Sequence, residues 1–127
     1  RDWGHAKDYT EMQWRIMQQR KPKDYVIATG HAYSVKQFLN IAANYLGMKI
    51  LWSGKGLNEI GYTLNKNKKE ILIKIDKKYF RPNEVEYLKG DASKALKDLK
   101  FKPKFSFKAL VEDMIDGDLL EAKKELE

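Results

Sequence analysis

Arginine side chains in two short stretches are the residues of this sequence whose chemistry is most specific. The first stretch is RDW at positions 1–3, and the second is YFRPNEV at positions 79–85. A guanidinium is a planar fork that can bind two oxygens of a phosphate at once. The second stretch also carries a carboxylate three residues after its arginine. Arginines and a carboxylate in this pattern suit a ligand that contains a nucleoside diphosphate.

The residues between Arg81 and Val85 predict how the second stretch is shaped. Because Arg81 precedes a proline, its backbone is restricted to extended conformations, while Pro82 suits the first position of a helical turn. Such a turn would place Arg81 and Glu84 on the same side and direct Val85 into the core. The alternative is a surface salt bridge between Arg81 and Glu84, worth only about 0 to 1 kcal/mol.

Four helices are predicted to position these stretches, because apolar residues recur at steps of three and four positions. Ser34 and Gln37 have the spacing of a capping box, which predicts a helix from Ser34 to Gly47. The other predicted helices run from His5 to about Gln19, from a cap at Asp91, and from Ser106 to a frayed tail over residues 123–127.

Three strands are also predicted. The mostly apolar run 24–29 suits a buried strand in a doubly covered sheet, and residues 50–52 suggest a second, brief strand. In the third, over residues 70–76, isoleucines alternate onto one half-buried face. Residues 58–69 are expected to be an exposed excursion. Helices and short strands together predict an α+β fold for the single domain that 127 residues allow.

Composition limits the class of protein. The chain starts with Arg1 rather than methionine and has no apolar run long enough to span a bilayer, so we expect a soluble internal piece of a cytoplasmic protein. No cysteine is present, which excludes disulfides. His5 and His31 are far apart in sequence, so a zinc site lacks ligands, and we expect no bound metal.

The net charge of +7 is concentrated in one segment. Residues 66–104 contain 13 Lys and Arg against 6 Asp and Glu, which gives +7, and the rest of the chain is balanced. A basic segment can attract nucleic acid or complement a small anionic ligand. Lysines outnumber arginines by 21 to 4, which weakens the nucleic-acid hypothesis, because arginine is the usual reader of bases. A non-catalytic basic nucleic-acid-binding module stays as the weaker alternative.

Several motifs resemble a known family in the same order along the chain. RDWGHAKDY at positions 1–9 is followed by DYVIATG, SVKQFL, YFRPNEV, LKGDASKA and KFKPKFSFKALVEDM. This series resembles the C-terminal part of the GDP-mannose 4,6-dehydratases, which are extended short-chain dehydrogenase/reductase enzymes. The resemblance extends over nearly the whole chain. It implies that residues 1–127 form a substrate-binding lobe, which normally packs on an NADP-binding Rossmann domain that this chain lacks.

The resemblance also implies an activity. The complete enzyme would be an NADP-dependent lyase that converts GDP-mannose to GDP-4-dehydro-6-deoxy-mannose in the biosynthesis of GDP-fucose and related deoxysugars. It would act as a homo-oligomer without nucleic-acid or membrane partners, and this chain alone would be inactive. Another nucleotide-sugar epimerase or dehydratase with the same lobe is the closest alternative.

The resemblance assigns substrate-binding roles to three residues. Arg1 and Arg81 would hold the diphosphate from two sides, and Glu84 would accept hydrogen bonds from the ribose hydroxyls. We expect no catalytic and no cofactor-binding residue in this chain. No glycine-rich turn lies between a predicted strand and a predicted helix, and neither Tyr79 nor Tyr87 begins the Tyr-x-x-x-Lys pair that short-chain dehydrogenases use for hydride chemistry.

Overall fold

The architecture combines four helices with one small sheet. The structure, a computed structural model, describes residues 1–81 and 83–126. The helices are α1 (Ala6–Met17), α2 (Val35–Tyr45), α3 (Ser93–Leu99) and α4 (Phe107–Glu125). The strands are β1 (Leu51–Ser53), β2 (Ile60–Asn65) and β3 (Lys68–Lys74). The α+β class and the number of helices predicted from the sequence are confirmed.

The N-terminal ends of α2 and α4 are closed by serine side chains. Ser34 Oγ accepts a hydrogen bond from the Gln37 amide at 3.1 Å, and Gln37 Oε1 accepts one from the Ser34 amide at 2.7 Å, which confirms the capping box. Ser106 Oγ accepts from the Ala109 amide at 3.1 Å and begins α4. Each cap satisfies amides that the helix itself leaves without an acceptor.

The two ends of the α3–α4 region differ from the prediction in detail. The N-cap of α3 is Ala92, and Asp91 lies one residue before it, where its Oδ1 accepts from the Ser93 amide at 2.9 Å. The helix α4 continues to Glu125, so the prediction of a frayed tail from Lys123 is wrong for the described part of that tail. Glu127 lies outside the described residues.

The sheet is antiparallel with the strand order β1-β2-β3. The predicted exposed excursion over residues 58–69 is correct for the exposure of residues 64–69 but wrong in form, since β2 and the start of β3 occupy most of it. The hairpin between β2 and β3 turns at Lys66 and Asn67, which both have left-handed backbones, with φ of 48° and 63°. Two consecutive left-handed residues match the twist of a tight hairpin.

The predicted buried strand over residues 24–29 is also wrong. In the described part of the chain this run belongs to no strand, and the nearby pairing is an isolated bridge between Asp2 and Ala32. Hydrogen bonds to side chains hold the run instead: Asp2 accepts from the Thr29 amide, and Lys94 donates to the Asp24 carbonyl. A short apolar run can be satisfied in this way without a sheet partner, so the doubly covered sheet is not formed.

Two apolar clusters form the interior. The first lies between α1 and α3 and is built from Met12, Ala95, Leu99 and Phe101. The second lies between α2 and α4 and is built from Ala42, Phe107 and Val111, with partly buried aromatic rings around them. In the described part of the chain, no helix is both long enough and apolar enough to cross a membrane.

Close packing at Gly90 gives a prediction about stability. A Cβ added to Gly90 would lie 2.3 Å from Ala28 Cβ, and a methyl group fixed to the backbone cannot rotate away. We expect Gly90→Ala to lower the free energy of unfolding by about 1 to 3 kcal/mol, as overpacking does. Chemical denaturation measures this change.

Gly117 is the matched control for this substitution. It lies inside α4, and a Cβ there would meet no atom within 4 Å. We expect Gly117→Ala to raise the free energy of unfolding by about 0.5 to 1 kcal/mol, because alanine favours a helix interior. Equal effects at the two positions would contradict the packing argument.

Candidate functional site

Arg1 is held by its backbone and reaches across the fold with its side chain. Its backbone nitrogen and carbonyl pair with Tyr33, at 2.7 and 2.8 Å. Its guanidinium donates from Nη1 to the Val85 carbonyl at 2.6 Å and from Nη2 to Glu84 Oε1. Arg1 is therefore fixed at both ends, and its charged group lies on the segment that contains Arg81.

Arg81 and Glu84 lie on the same side of one turn. The Glu84 amide donates to the Arg81 carbonyl at 3.3 Å, and Arg81 Nη1 lies 3.9 Å from Glu84 Oε2. Pro82, whose geometry the sequence analysis used, lies outside the described residues. The expectation that Val85 points into the core is wrong, since Val85 is 54% exposed. Neither apolar cluster of the core contains Val85, and the Val85 carbonyl accepts a hydrogen bond from Arg1.

The arginine cluster, defined as Arg1, Arg81 and Glu84, thus unites all three residues that the sequence analysis selected. Glu84 lies between two guanidiniums, so the cluster carries a net charge of +1. The side chain of Arg81 is 81% exposed, against 34% for Arg1. The surface salt bridge weighed as an alternative is present as well. The cluster can bind an anion that competes with the carboxylate of Glu84 for the guanidinium donors.

The cluster borders a cavity of about 350 Å³ lined by Phe80, Arg81, Asn83, Glu84 and Val85. A larger groove of about 810 Å³ is lined by residues 28–30, 89–93 and 101–103 together with Leu96. Lys89 and Lys102 contribute positive charge to its wall. Two consecutive residues contact the walls of these spaces: Arg1 contacts Glu84 and Val85 at the first, and Asp2 accepts hydrogen bonds from residues that line the second.

Asp2 is the residue that ties these segments together. Its Oδ1 accepts from the Thr29 amide at 2.9 Å and the Thr29 hydroxyl at 2.6 Å, and its Oδ2 accepts from the amides of Gly30 at 2.9 Å and Gly90 at 3.2 Å. Burial raises the pKa of Asp2, but the hydrogen bonds from Thr29, Gly90 and Gly30 outweigh burial and hold that pKa below its usual value. From the sequence, Asp2 is expected to hold the local fold rather than touch the ligand, because a carboxylate would repel a diphosphate. Its hydrogen bonds agree with that expectation, although their partners are too distant in sequence to be predicted.

His5 is the described side chain that most resembles a general base, and its contacts are structural. Its Nδ1 accepts from the Lys7 amide at 3.0 Å, which caps α1, so the neutral ring carries its proton on Nε2. That nitrogen lies 3.0 Å from Asp113 Oδ2. Its hydrogen bond to His5 and the charge of Lys7 lower the pKa of Asp113. Both nitrogens of the ring are occupied within the fold.

Two tyrosines that the sequence analysis passed over do begin Tyr-x-x-x-Lys spacings, namely Tyr45 with Lys49 and Tyr62 with Lys66. The hydroxyl of Tyr45 donates to Asp116 at 2.9 Å. That hydrogen bond raises the pKa of Tyr45, and burial adds to the rise. A tyrosine that exchanges protons near neutrality needs a lowered pKa. In the second pair, Lys66 lies in the hairpin turn between β2 and β3.

The described residues do not fit a dinucleotide cofactor. Such a cofactor binds at a glycine-rich turn between a parallel strand and a helix, and the sheet in residues 1–81 and 83–126 is antiparallel throughout. In the same residues, no group of three or more His, Cys, Asp or Glu side chains could hold a metal ion. The guanidiniums of Arg1 and Arg81 offer charge and hydrogen-bond donors to an anion.

Comparison with known proteins identifies the family. The sequence profile of the family described as GDP-mannose 4,6 dehydratase matches residues 1–114. The chain is 45% identical to the GDP-mannose 4,6 dehydratase of Drosophila melanogaster over 119 residues. This alignment covers 94% of the chain and 30% of the fly protein. It is 43% identical over 119 residues to the human GDP-mannose 4,6 dehydratase, covering 94% of this chain and 32% of that protein.

A bacterial relative gives the same result. The chain is 42% identical over 132 aligned residues to the GDP-mannose 4,6-dehydratase of Yersinia enterocolitica, covering 98% of this chain and 36% of that protein. The chain thus spans about a third of the length of the curated relatives it matches. Since the family profile matches 114 of the 127 residues, the chain belongs to the GDP-mannose 4,6 dehydratase family.

Proposed function

We propose that this chain is the substrate-binding part of a GDP-mannose 4,6-dehydratase. The complete enzyme would be a lyase that removes water from GDP-mannose to give GDP-4-dehydro-6-deoxy-mannose, a precursor of GDP-fucose and related deoxysugars. One observation carries this proposal beyond the family. Arg1 and Glu84, 83 positions apart in sequence, are in direct contact, and Arg81 lies beside them. The diphosphate of a nucleotide sugar would need paired positive charge of this kind.

Each member of the arginine cluster has a distinct proposed role. Arg1 and Arg81 bind oxygens of the diphosphate, because a guanidinium matches the spacing of two such oxygens. Glu84 accepts hydrogen bonds from the ribose hydroxyls. In the structure Glu84 accepts a hydrogen bond from the Arg1 guanidinium, and its other oxygen lies 3.9 Å from the Arg81 guanidinium. A diphosphate would replace the carboxylate at these donors and leave Glu84 able to turn to the pentose.

The complete enzyme would also need parts that the described residues do not supply. We place NADP outside this chain, since its residues do not fit a dinucleotide. The NADP would supply oxidation and reduction of the sugar when bound. The apolar side chains that this lobe exposes, such as Val26 and Val85, suit packing against the cofactor domain. We propose a cytoplasmic homo-oligomer as the working form.

Replacing Arg81 by lysine tests the diphosphate contact. A lysine keeps the charge but replaces the planar, two-pronged guanidinium donor with a single ammonium group. We therefore expect Arg81→Lys in the complete enzyme to weaken GDP-mannose binding by about tenfold. Isothermal titration measures the affinity. Arg20→Lys is the control, because Arg20 is an exposed arginine just beyond α1 and should leave the affinity unchanged. Equal affinity of the Arg81→Lys variant and the unmodified enzyme would refute the assignment.

The same preparation separates the two alternative functions. Turnover of GDP-mannose but not of other nucleotide sugars supports the dehydratase, whereas turnover of a different nucleotide sugar supports a related epimerase or dehydratase. Binding of RNA with a steep salt dependence, without competition by GDP-mannose, would instead favour the basic nucleic-acid-binding module.

A further inference from the structure

Asp2 follows Arg1 directly, and its contacts bring three distant segments of the chain to one point. Its carboxylate accepts four hydrogen bonds, from the amide and hydroxyl of Thr29 and from the amides of Gly30 and Gly90. Three of these donors are backbone amides. A single side chain therefore fixes the position of the extended run before α2 and of the segment that leads from the arginine cluster to α3.

The position of Arg1 depends on this carboxylate. The backbone of Arg1 is paired on one side with Tyr33 and is followed on the other by Asp2. Its guanidinium then bridges to Glu84 and Val85, which lie six and five residues before Gly90. Asp2 thus holds the two chain segments whose separation decides whether Arg1 can reach Glu84.

We infer that Asp2 is a positioning residue for the arginine cluster, which keeps Arg1 against Glu84 and Val85 by fixing the adjacent segments 28–30 and 89–91. The inference rests on the proposed function for its effect on substrate. Asp2 itself touches no anion, because its two oxygens face backbone and hydroxyl donors, and a carboxylate close to a diphosphate would repel it. Its negative charge is satisfied within the fold.

Asp2→Asn is the first test variant. An amide presents one oxygen and one NH2 group, so it can accept from Thr29 or from the Gly30 and Gly90 amides but not from both sets. We expect hydrogen exchange of the peptide that covers residues 80–88 to accelerate in the complete protein. We also expect the KM for GDP-mannose to rise about five- to tenfold, while kcat stays within about twofold.

Asp8→Asn is the matched control. Asp8 is also a buried carboxylate that accepts from two backbone amides, those of Lys104 and Phe105, but it makes none of the Asp2 contacts. It should change global stability without selectively accelerating exchange over residues 80–88. If Asp2→Asn fails to fold, Thr29→Val removes the hydroxyl donor alone and should shift the same measurements in the same direction by a smaller factor.

A cycle with Arg1→Ala distinguishes the inference from the proposed function. If Asp2 acts through Arg1, its effect on KM disappears in the Arg1→Ala background. Exchange over residues 80–88 that is unchanged by Asp2→Asn, or effects on KM that simply add, would overturn the inference. Faster hydrogen exchange in Asp2→Asn would support the positioning role. If Arg1→Ala at the same time left the KM for GDP-mannose unchanged, the proposed substrate contact of Arg1 would be refuted.

Discussion

Replacing Phe107 by alanine should lower the free energy of unfolding by about 3 to 5 kcal/mol, the usual cost of removing a buried phenylalanine side chain. Phe107 is 7% exposed and belongs to the apolar cluster between α2 and α4. Its ring stacks on Tyr33 at 3.9 Å and on Trp3 at 5.5 Å between ring centroids. Deletion leaves a cavity and removes both aromatic contacts. Urea denaturation followed by circular dichroism measures the loss.

Leu120→Ala is the control on the same helix. Leu120 is 56% exposed, so its truncation removes little buried surface, and alanine favours the helix. We expect a change within about 0.5 kcal/mol. Comparable losses for Phe107→Ala and Leu120→Ala would mean that α4 is not anchored by the aromatic cluster. Phe107 stacks on Tyr33, which pairs with the backbone of Arg1, and on Trp3, two residues after Arg1. Phe107→Ala should therefore also lower the affinity for any ligand that Arg1 binds.

Glu84→Gln should change the affinities for two ligands in different ways. In the structure the Glu84 carboxylate forms ion pairs with the guanidiniums of Arg1 and Arg81. A bound diphosphate would have to compete with this carboxylate. Removing its charge raises the net charge of the cluster from +1 to +2, so inorganic diphosphate should bind more tightly. Under the proposed role of Glu84, GDP-mannose would lose a charged acceptor for its ribose hydroxyls, which costs about tenfold or more in affinity. The ratio of the two dissociation constants should therefore shift by at least about tenfold.

Titration of the complete protein with both ligands measures that ratio. Glu86→Gln is the control, because Glu86 is an exposed carboxylate two residues away and its removal changes the local charge by the same amount. It should alter both affinities slightly and in parallel. If Glu84→Gln instead raised the affinities for both ligands by one common factor, Glu84 would act through its charge alone and would not contact the pentose.

The helices and two of the three strands follow from local signals in the sequence, since the strands predicted over residues 50–52 and 70–76 overlap β1 and β3, whereas β2 does not. The capping box of Ser34 and Gln37 involves residues three positions apart, so the sequence predicts it directly. The strand β2 was missed because Gly61 interrupts its apolar alternation. Its pairing with β3 also shifts register between Gly61 and Tyr62, which no local pattern indicates. Residues 24–29 have strand composition, but side chains such as Asp2 satisfy their backbone, and no local pattern signals this.

The residues of the arginine cluster were selected from the sequence, although their arrangement was predicted only in part. The proximity of Arg81 and Glu84 follows from their spacing. The contact between Arg1 and Glu84 was not predicted. The resemblance only placed Arg1 and Arg81 at the same diphosphate, and no periodicity relates Arg1 to a residue as far away as Glu84. The exposed Val85 shows the limit of the turn argument: one predicted turn does not decide which of its side chains the core needs.

The contact between Arg1 and Glu84 closes a loop of 83 positions that contains α1, α2 and the whole sheet. Closing so long a loop is entropically unfavourable until the intervening elements have packed. During synthesis, Arg81 and Glu84 of the arginine cluster leave the ribosome only after those elements have emerged. Recovery of ligand affinity in a refolding experiment should therefore lag behind recovery of helical signal, which makes this site a reporter of completed folding.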